Sequence, residues 1–296
     1  MVKEYPLLFF LLFSLNLCSQ NSSFYRKSDS LNTQRRNAII ISESVLMTGA
    51  LISLNELWYK QYPQGRFHLK NDYHQWKQMD KVGHFMTSYY VGKVGMDALN
   101  WAGVSKKNQL IYGAGLGLIF LTAVETLDGF SEEWGASTSD IIANAAGTGF
   151  LIGQELLWKE QRISVKYSFH QTNYAKQRPA ILGENYFQQT LKDYNGQTYW
   201  LSANIWSFNK KSTIPKWLNI ALGYGAEGML YGNTTTSTLN TPYRQFYLSL
   251  DVDLTKIKTN SEFLKSVFSV VNFIKIPAPT IEINTKGKVR FHYLYF

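Results

Sequence analysis

The apolar positions of this chain fall into two textures. Four long runs come first, Ala38–Trp58, Lys81–Trp101, Gln109–Glu125 and Thr138–Trp158. Each is too long for one strand and long enough for a helix. Ser137, Thr138 and Ser139 offer cap chemistry before the fourth run, and Gly103 follows the second. Small residues four apart, Gly113 and Gly117, then Ala143 and Gly147, put a narrow face on the third and fourth helices, along which backbones can approach closely. From Arg162 the pattern shortens to alternating runs at Ile163–Phe169, Thr198–Trp206, Leu218–Tyr224, Phe246–Leu254, Thr280–Ile283 and Val289–Phe296, separated by turn clusters such as Asn195-Gly196. A helical segment, Ser261–Lys275, interrupts them. The pattern predicts an α+β chain: an apolar four-helix bundle over 38–160, then an antiparallel β domain of about six strands over 161–296.

Ahead of the helices, Lys3 precedes an apolar run from Leu7 to Leu15, and Cys18 and Ser19 follow it. A basic start, a short apolar run and a small polar exit read as a secretory signal over 1–19, with residues 20–37 a polar linker. Cys18 is also the candidate for lipidation. As the one cysteine of the chain it excludes a disulfide framework and a thiolate zinc site.

Composition sharpens the envelope reading. Charged residues are 17% of the 296, against about 25% in an average domain, while aromatics reach 15%. Abundant Tyr and Trp with little charge suit surfaces that meet membrane interfaces or sugars, or an aromatic-rich β core. The net charge of +9 is dispersed and comes with no nucleic-acid motif, so the expected partner is an anionic membrane or envelope lipid and not nucleic acid. The charges oppose the simplest spanning topology. With the signal removed, four spans would leave Arg26, Lys27, Arg35, Arg36, Lys106, Lys107, Lys159 and Arg162 outside the cytoplasm, against the usual bias. Lys93 and Asp97 would sit within a span, at roughly 2.5 to 3.5 kcal/mol each. A bundle packed on the β domain or lying at a membrane surface is the expectation. Six strands also fall short of the usual eight of an outer-membrane barrel, so a partial sheet is expected.

The polar residues on the apolar runs carry the chemistry. Asp80, His84 and Ser88 repeat every four residues, as do Asp140 and Asn144, so each set shares a helix face. Glu125 and Asp128 close the third run. Consecutive antiparallel helices bring the start of the second, the end of the third and the start of the fourth to one end. His84, Glu125 and Asp140 are thus the candidate catalytic residues, and Asp80, Asp128, Trp134, Ser137 and Asn144 the candidate binding residues. Three uses are open: acid–base chemistry by a histidine beside acids, a divalent metal site short of histidines, or a structural network that satisfies buried polar groups and helix ends. No cofactor is legible.

At these residues the sequence resembles the YfiM-like predicted periplasmic lipoproteins, over roughly residues 70 to 160. The resemblance is carried by three blocks, Trp76 to His84, Glu125 to Phe130 and Trp134 to Asn144. The skeleton Asp80-Lys81-x-x-His84, Glu125, Asp140-x-x-x-Asn144 also resembles, more remotely, VanZ-type membrane proteins. The resemblance implies an envelope location and singles out Asp80, His84, Glu125, Asp128, Asp140 and Asn144, but assigns no reaction. Two functions follow as expectations: an envelope protein, periplasmic or outer-membrane-associated, that binds an anionic lipid or cell-wall component, or a membrane-surface hydrolase or transferase acting on a lipid-linked substrate.

Overall fold

A computed structural model describes residues 22–60, 62–232 and 241–296. The apolar leader and Cys18 lie outside the described residues. The chain is α+β, with a six-stranded antiparallel sheet.

After a single helical turn over Ser22–Tyr25, the first long helix, α1 (Thr33–Leu54), passes into a π-helical turn over Asn55–Tyr59. It starts within the segment expected to be linker because Asn32 supplies a cap, its side chain accepting from the Arg35 amide at 3.0 Å. The next, α2 (Met79–Trp101), packs against α3 (Leu116–Phe130) and α4 (Thr138–Trp158). A short helix over Lys106–Asn108 and a π-helical stretch over Gln109–Ala114 lead into α3. Glycines set these contacts: Gly117 lies against the Ser88 carbonyl, Gly147 against that of Phe85, and Gly113 against the backbone of Met96.

The expected four-helix bundle is therefore a packed group of three. The start of α1 joins it, where Ile39 packs with Leu99 and Ala102, and the π-helical turn past its end returns to it through Tyr59. Ile41, Val45 and Leu46 farther along are exposed. The reason is visible in α1, whose apolar residues lie all round it and define no single core-facing stripe. By length and composition, α1 and the continuous stretch Lys106–Phe130 are each able to cross a membrane.

The sheet is a meander of β1 (Ile163–Phe169), β2 (Gln197–Asn204), β3 (Leu218–Glu227), β4 (Tyr243–Val252), β5 (Ala278–Asn284) and β6 (Val289–Tyr295), with α5 (Glu262–Val271) between β4 and β5. Register pairs Leu201 with Leu222, Leu222 with Leu248 and Leu248 with Ile281, so these residues share one face. The other face carries Ser202, Asn219, Asp251, Thr280 and Glu282, and it is the buried one. The sheet curls onto this polar face. Strands four places apart in a flat sheet lie about 19 Å from each other, yet the rings of Trp200 on β2 and Tyr295 on β6 are 6.1 Å apart. Inside, Lys166 pairs with Asp251 at 2.8 Å, both fully buried. The free edge of β1 is partly covered by Phe273–Lys275, which exchanges backbone hydrogen bonds with Tyr167.

The helices and the sheet share two ends. At one, Trp158 at the end of α4 meets Phe208 just past β2, ring centroids 5.4 Å apart. At the other, the chain enters α2 through three consecutive left-handed residues, Trp76, Lys77 and Gln78, with φ of 48°, 52° and 65°. That conformation costs roughly 1–2 kcal/mol per residue outside glycine. Contacts to the sheet side hold it. The Trp76 amide donates to the Gly232 carbonyl at 2.9 Å, the Tyr224 hydroxyl donates to the Lys77 carbonyl, and Arg244 donates to the Gln78 side chain.

Candidate functional site

The start of α2, the end of α3 and the start of α4 do converge. His84 Nδ1 lies 3.1 Å from Asn144 Oδ1 and 3.6 Å from Glu125 Oε1, and its Nε2 lies 3.8 Å from Asp80 Oδ1. One turn on, the Ser88 hydroxyl donates to the Asn144 carbonyl at 2.7 Å and clasps α4 to α2. Ser137 caps α4, accepting from the Asp140 amide at 3.2 Å, while its own amide donates to Glu125 Oε2 at 2.9 Å. Asp128 accepts from the Tyr59 hydroxyl at 2.7 Å. Trp134 packs edge-on against the rings of Tyr59 and Tyr62. All eight sequence-picked residues of the helical end are thus in or beside one cluster.

The cluster also uses residues that the pattern did not single out. Lys81, 8% exposed, is its hub: Nζ reaches Asp72 at 2.6 Å, Asp80 at 3.0 Å and Asp140 at 2.9 Å. Asp72, in the polar connection before α2, also accepts from the Ser137 and Ser139 hydroxyls. From the β half, Tyr194 donates to Asp80 Oδ1 at 2.6 Å. Lys81 had read as part of a helix start, and a position beside Asp80 could have suggested its pairing. Nothing local marks Tyr194, which lies 114 residues away in sequence. His68 and His74, both in the connection before α2, lie outside the cluster.

Five carboxylates, Asp72, Asp80, Glu125, Asp128 and Asp140, face two bases, Lys81 and His84. The imbalance governs proton affinities. Burial alone would lower the pKa of His84, but the facing Asp80, Asp140 and Glu125 charges outweigh it and hold the imidazole above its ordinary value. Burial pushes Glu125 up to about 7, and it raises Asp128 and Asp140 to about 6, with Asp80 adding repulsion on both. Asp80 and Asp72 resist burial and sit below the usual range, Asp80 chiefly through His84 and Lys81, and Asp72 through hydrogen bonds from Lys81 and Ser137. Within the cluster, Glu125 Oε1, Asp140 Oδ1 and Asn144 Nδ2 are buried without a hydrogen-bond partner, and Asp140 Oδ1 has only its ion pair with Lys81. Asp80, His84 and Asp140 each offer a ligand atom within 4.8 Å of the others, a spacing open to a divalent cation, although the Lys81 ammonium already holds both carboxylates.

The raised groups share one sign. A carboxyl whose folded pKa lies above its unfolded value favours the fold while protonated, and that stability is lost as pH rises through the folded pKa. The raised imidazole acts in the same direction. The melting temperature is therefore expected to fall by several degrees as pH rises from about 4.5 to about 7, the span between the ordinary and raised values of Glu125. Thermal melts of the full chain and of Glu125→Gln check it: the variant profile is expected to be the flatter, and a wild-type profile flat over that span would refute the assignment.

The cluster floors a pocket of about 470 Å³. Its walls include Tyr59, Tyr62, Trp76, Trp134, Tyr194 and Tyr231, with Lys70, Arg178 and Lys192 as cations. Short helices between β1 and β2, Tyr174–Gln177, Pro179–Leu182 and Tyr186–Lys192, bring the last two into place. Arg178 lies 4.0 Å over the Tyr231 ring and donates to the Leu230 carbonyl. The volume is in the range of small-ligand sites.

One family model matches, over residues 69–153, less than a third of the chain; its family is described as predicted periplasmic lipoprotein (DUF2279). The matched segment holds Asp80, Lys81, His84, Glu125, Asp128, Asp140 and Asn144, and it agrees with the resemblance to predicted periplasmic lipoproteins. The description supports an exported, periplasmic protein of the cell envelope and assigns it no activity. No curated protein and no solved structure matches the chain.

Proposed function

We propose that this envelope protein uses the pocket to bind the headgroup of a phosphate-bearing lipid of the membrane it adjoins. The two-signed lining carries this reading. Lys70, Arg178 and Lys192 bring cations to the lining, and Asp72, Asp80, Asp128, Glu133 and Asp140 bring acid. A purely anionic group would meet repulsion from the acids. A headgroup that pairs a phosphate with an amine satisfies both signs, and the aromatic walls suit its less polar linkage. Titration of the purified full chain with water-soluble short-chain phosphatidylethanolamine and phosphatidylglycerol tests this. Tighter binding of the amine-bearing lipid is expected, with an affinity loss of about tenfold or more in Arg178→Gln, the scale of one charge-assisted hydrogen bond of about 1.5–3 kcal/mol. Equal affinity of wild type and variant for both lipids would overturn it.

A second reading, hydrolysis or group transfer on a lipid-linked substrate, is favoured by one observation. Glu125, at about 7, is poised to exchange a proton near neutral pH, and its unpartnered oxygen faces His84. Turnover of a bound lipid-linked substrate, or its absence, decides between the two.

A further inference from the structure

The six-stranded sheet is turned inside out relative to a sheet in water. An antiparallel sheet with one solvated face normally packs its apolar side and wets its polar one. Here the polar side is sealed. Besides the Lys166–Asp251 pair, Ser202 donates to Asp251 at 2.6 Å, buried Lys275 donates to the Leu250 and Ile276 carbonyls, and His292 meets buried Glu282 at 2.9 Å. The apolar side faces out: Leu222 is 60% exposed, Phe246 49%, Leu248 48% and Ile283 53%. The helical side of the molecule covers this face near β1 and β2, through Val165 and Tyr199, and at one end of β3 and β4, where Tyr224 and Arg244 bond the Lys77–Gln78 turn. Over the rest of β3 to β6, from Leu222 and Leu248 to Ile283 and Phe291, the face stays open among the described residues.

Three features identify what covers it. Outward apolar and inward polar residues alternating along a curled meander are the pattern of sheets that meet lipid. The ten-residue strands β3 and β4 have the length such sheets use, about 9 to 11 residues. Both ends of the band are rimmed by aromatic and basic side chains. At one end Lys216 lies 4.5 Å over the Trp206 ring and Trp217 is exposed, and at the other Lys286 lies 4.1 Å over Tyr243. Aromatic rings beside cations are what a membrane interface with anionic headgroups selects.

We infer that the outer face of β3 to β6 rests against the acyl chains of an envelope membrane, so that the protein binds lipid through its sheet as well as through its pocket. The inference stands apart from the headgroup reading, since none of the outward residues lines the pocket. The test places a photoreactive benzophenone amino acid at Phe246, which faces out, or at Tyr247, which is 4% exposed and faces in. The full chain is reconstituted into vesicles of phosphatidylethanolamine and phosphatidylglycerol and irradiated. Phospholipid adducts at position 246, at least about tenfold more than at 247, are the expected result. No lipid adduct at 246, or adducts only to a second copy of the chain, would overturn the inference, the latter making the face an interface between copies. The paired variant Leu222→Lys with Leu248→Lys adds an independent reading. Its circular dichroism is expected to match wild type while its lipid adducts at 246 fall severalfold, and unchanged adducts in a folded variant would also count against the inference. Neither result touches the pocket titrations.

Discussion

Replacing Lys81 by Met is expected to destabilise the protein by about 3–5 kcal/mol, the scale on which removing one partner strands buried charges. The ammonium stands among three carboxylates within 3.0 Å, and its side chain is 10% exposed. Its pKa lies above the usual value despite burial, because Asp80 and Asp140 favour the charged form. Met keeps the length and loses the charge, so Asp72, Asp80 and Asp140 would face one another across a half-buried gap. Part of the loss should return in Lys81→Met combined with Asp140→Asn, which removes one of the three charges. Chemical denaturation of the wild type and both variants measures this. A single variant within about 1 kcal/mol of wild type would mean that solvent already screens the cluster.

Gly117→Ala is expected to be the most damaging of the helical glycine substitutions, at about 3 kcal/mol or more, the upper end of overpacking costs. A Cβ there would come to 2.0 Å of the Ser88 carbonyl oxygen. Backbone cannot swing aside as a side chain can, so α2 and α3 would have to separate. Gly147→Ala should follow closely, since its Cβ would lie 2.2 Å from the Phe85 carbonyl. Gly149 and Gly153 on the same α4 have nothing within 4 Å. Alanine there should be neutral or stabilising by up to about 1 kcal/mol, the helix-propensity difference. Denaturation midpoints of the four variants check the ranking. Equal effects at 117 and 149 would show that helix spacing is not set by these contacts. Because Ser88 and His84 share a face of α2, a Gly117 variant that still folds should also shift the imidazole titration seen by NMR.

The convergence of His84, Glu125 and Asp140 was legible because it follows from four-residue spacing and antiparallel succession alone. The strands were legible because alternation in them is nearly unbroken: Ile163–Phe169 agrees residue for residue, and Thr198–Trp206 stops early only because Asn204 turns to cap the short helix at Ile205–Phe208. What was not legible is which face of the alternation would be buried. Alternation states that a strand has two sides, but a core of Lys166, Asp251 and Glu282 is visible only once distant partners are in place. Tyr194 and Asp72 escaped for the same reason, since each acts through a contact made by the fold and not by its neighbours. The π-helical lead-in to α3 and the left-handed run before α2 were hidden too, because none of Trp76, Lys77 and Gln78 is a residue type that favours positive φ.

That left-handed run ties the two halves of the chain in time as well as in space. It is held by Tyr224, Gly232 and Arg244, all translated well over a hundred residues after it. Until they arrive, Trp76 to Gln78 can relax into ordinary conformations, and the first turn of α2 loses its fixed direction along with Asp80, Lys81 and His84. A nascent or truncated chain would therefore own every helical residue of the pocket and still lack the pocket. Completion of the pocket becomes a late event, granted only to a polypeptide whose strands β3 and β4 have already docked.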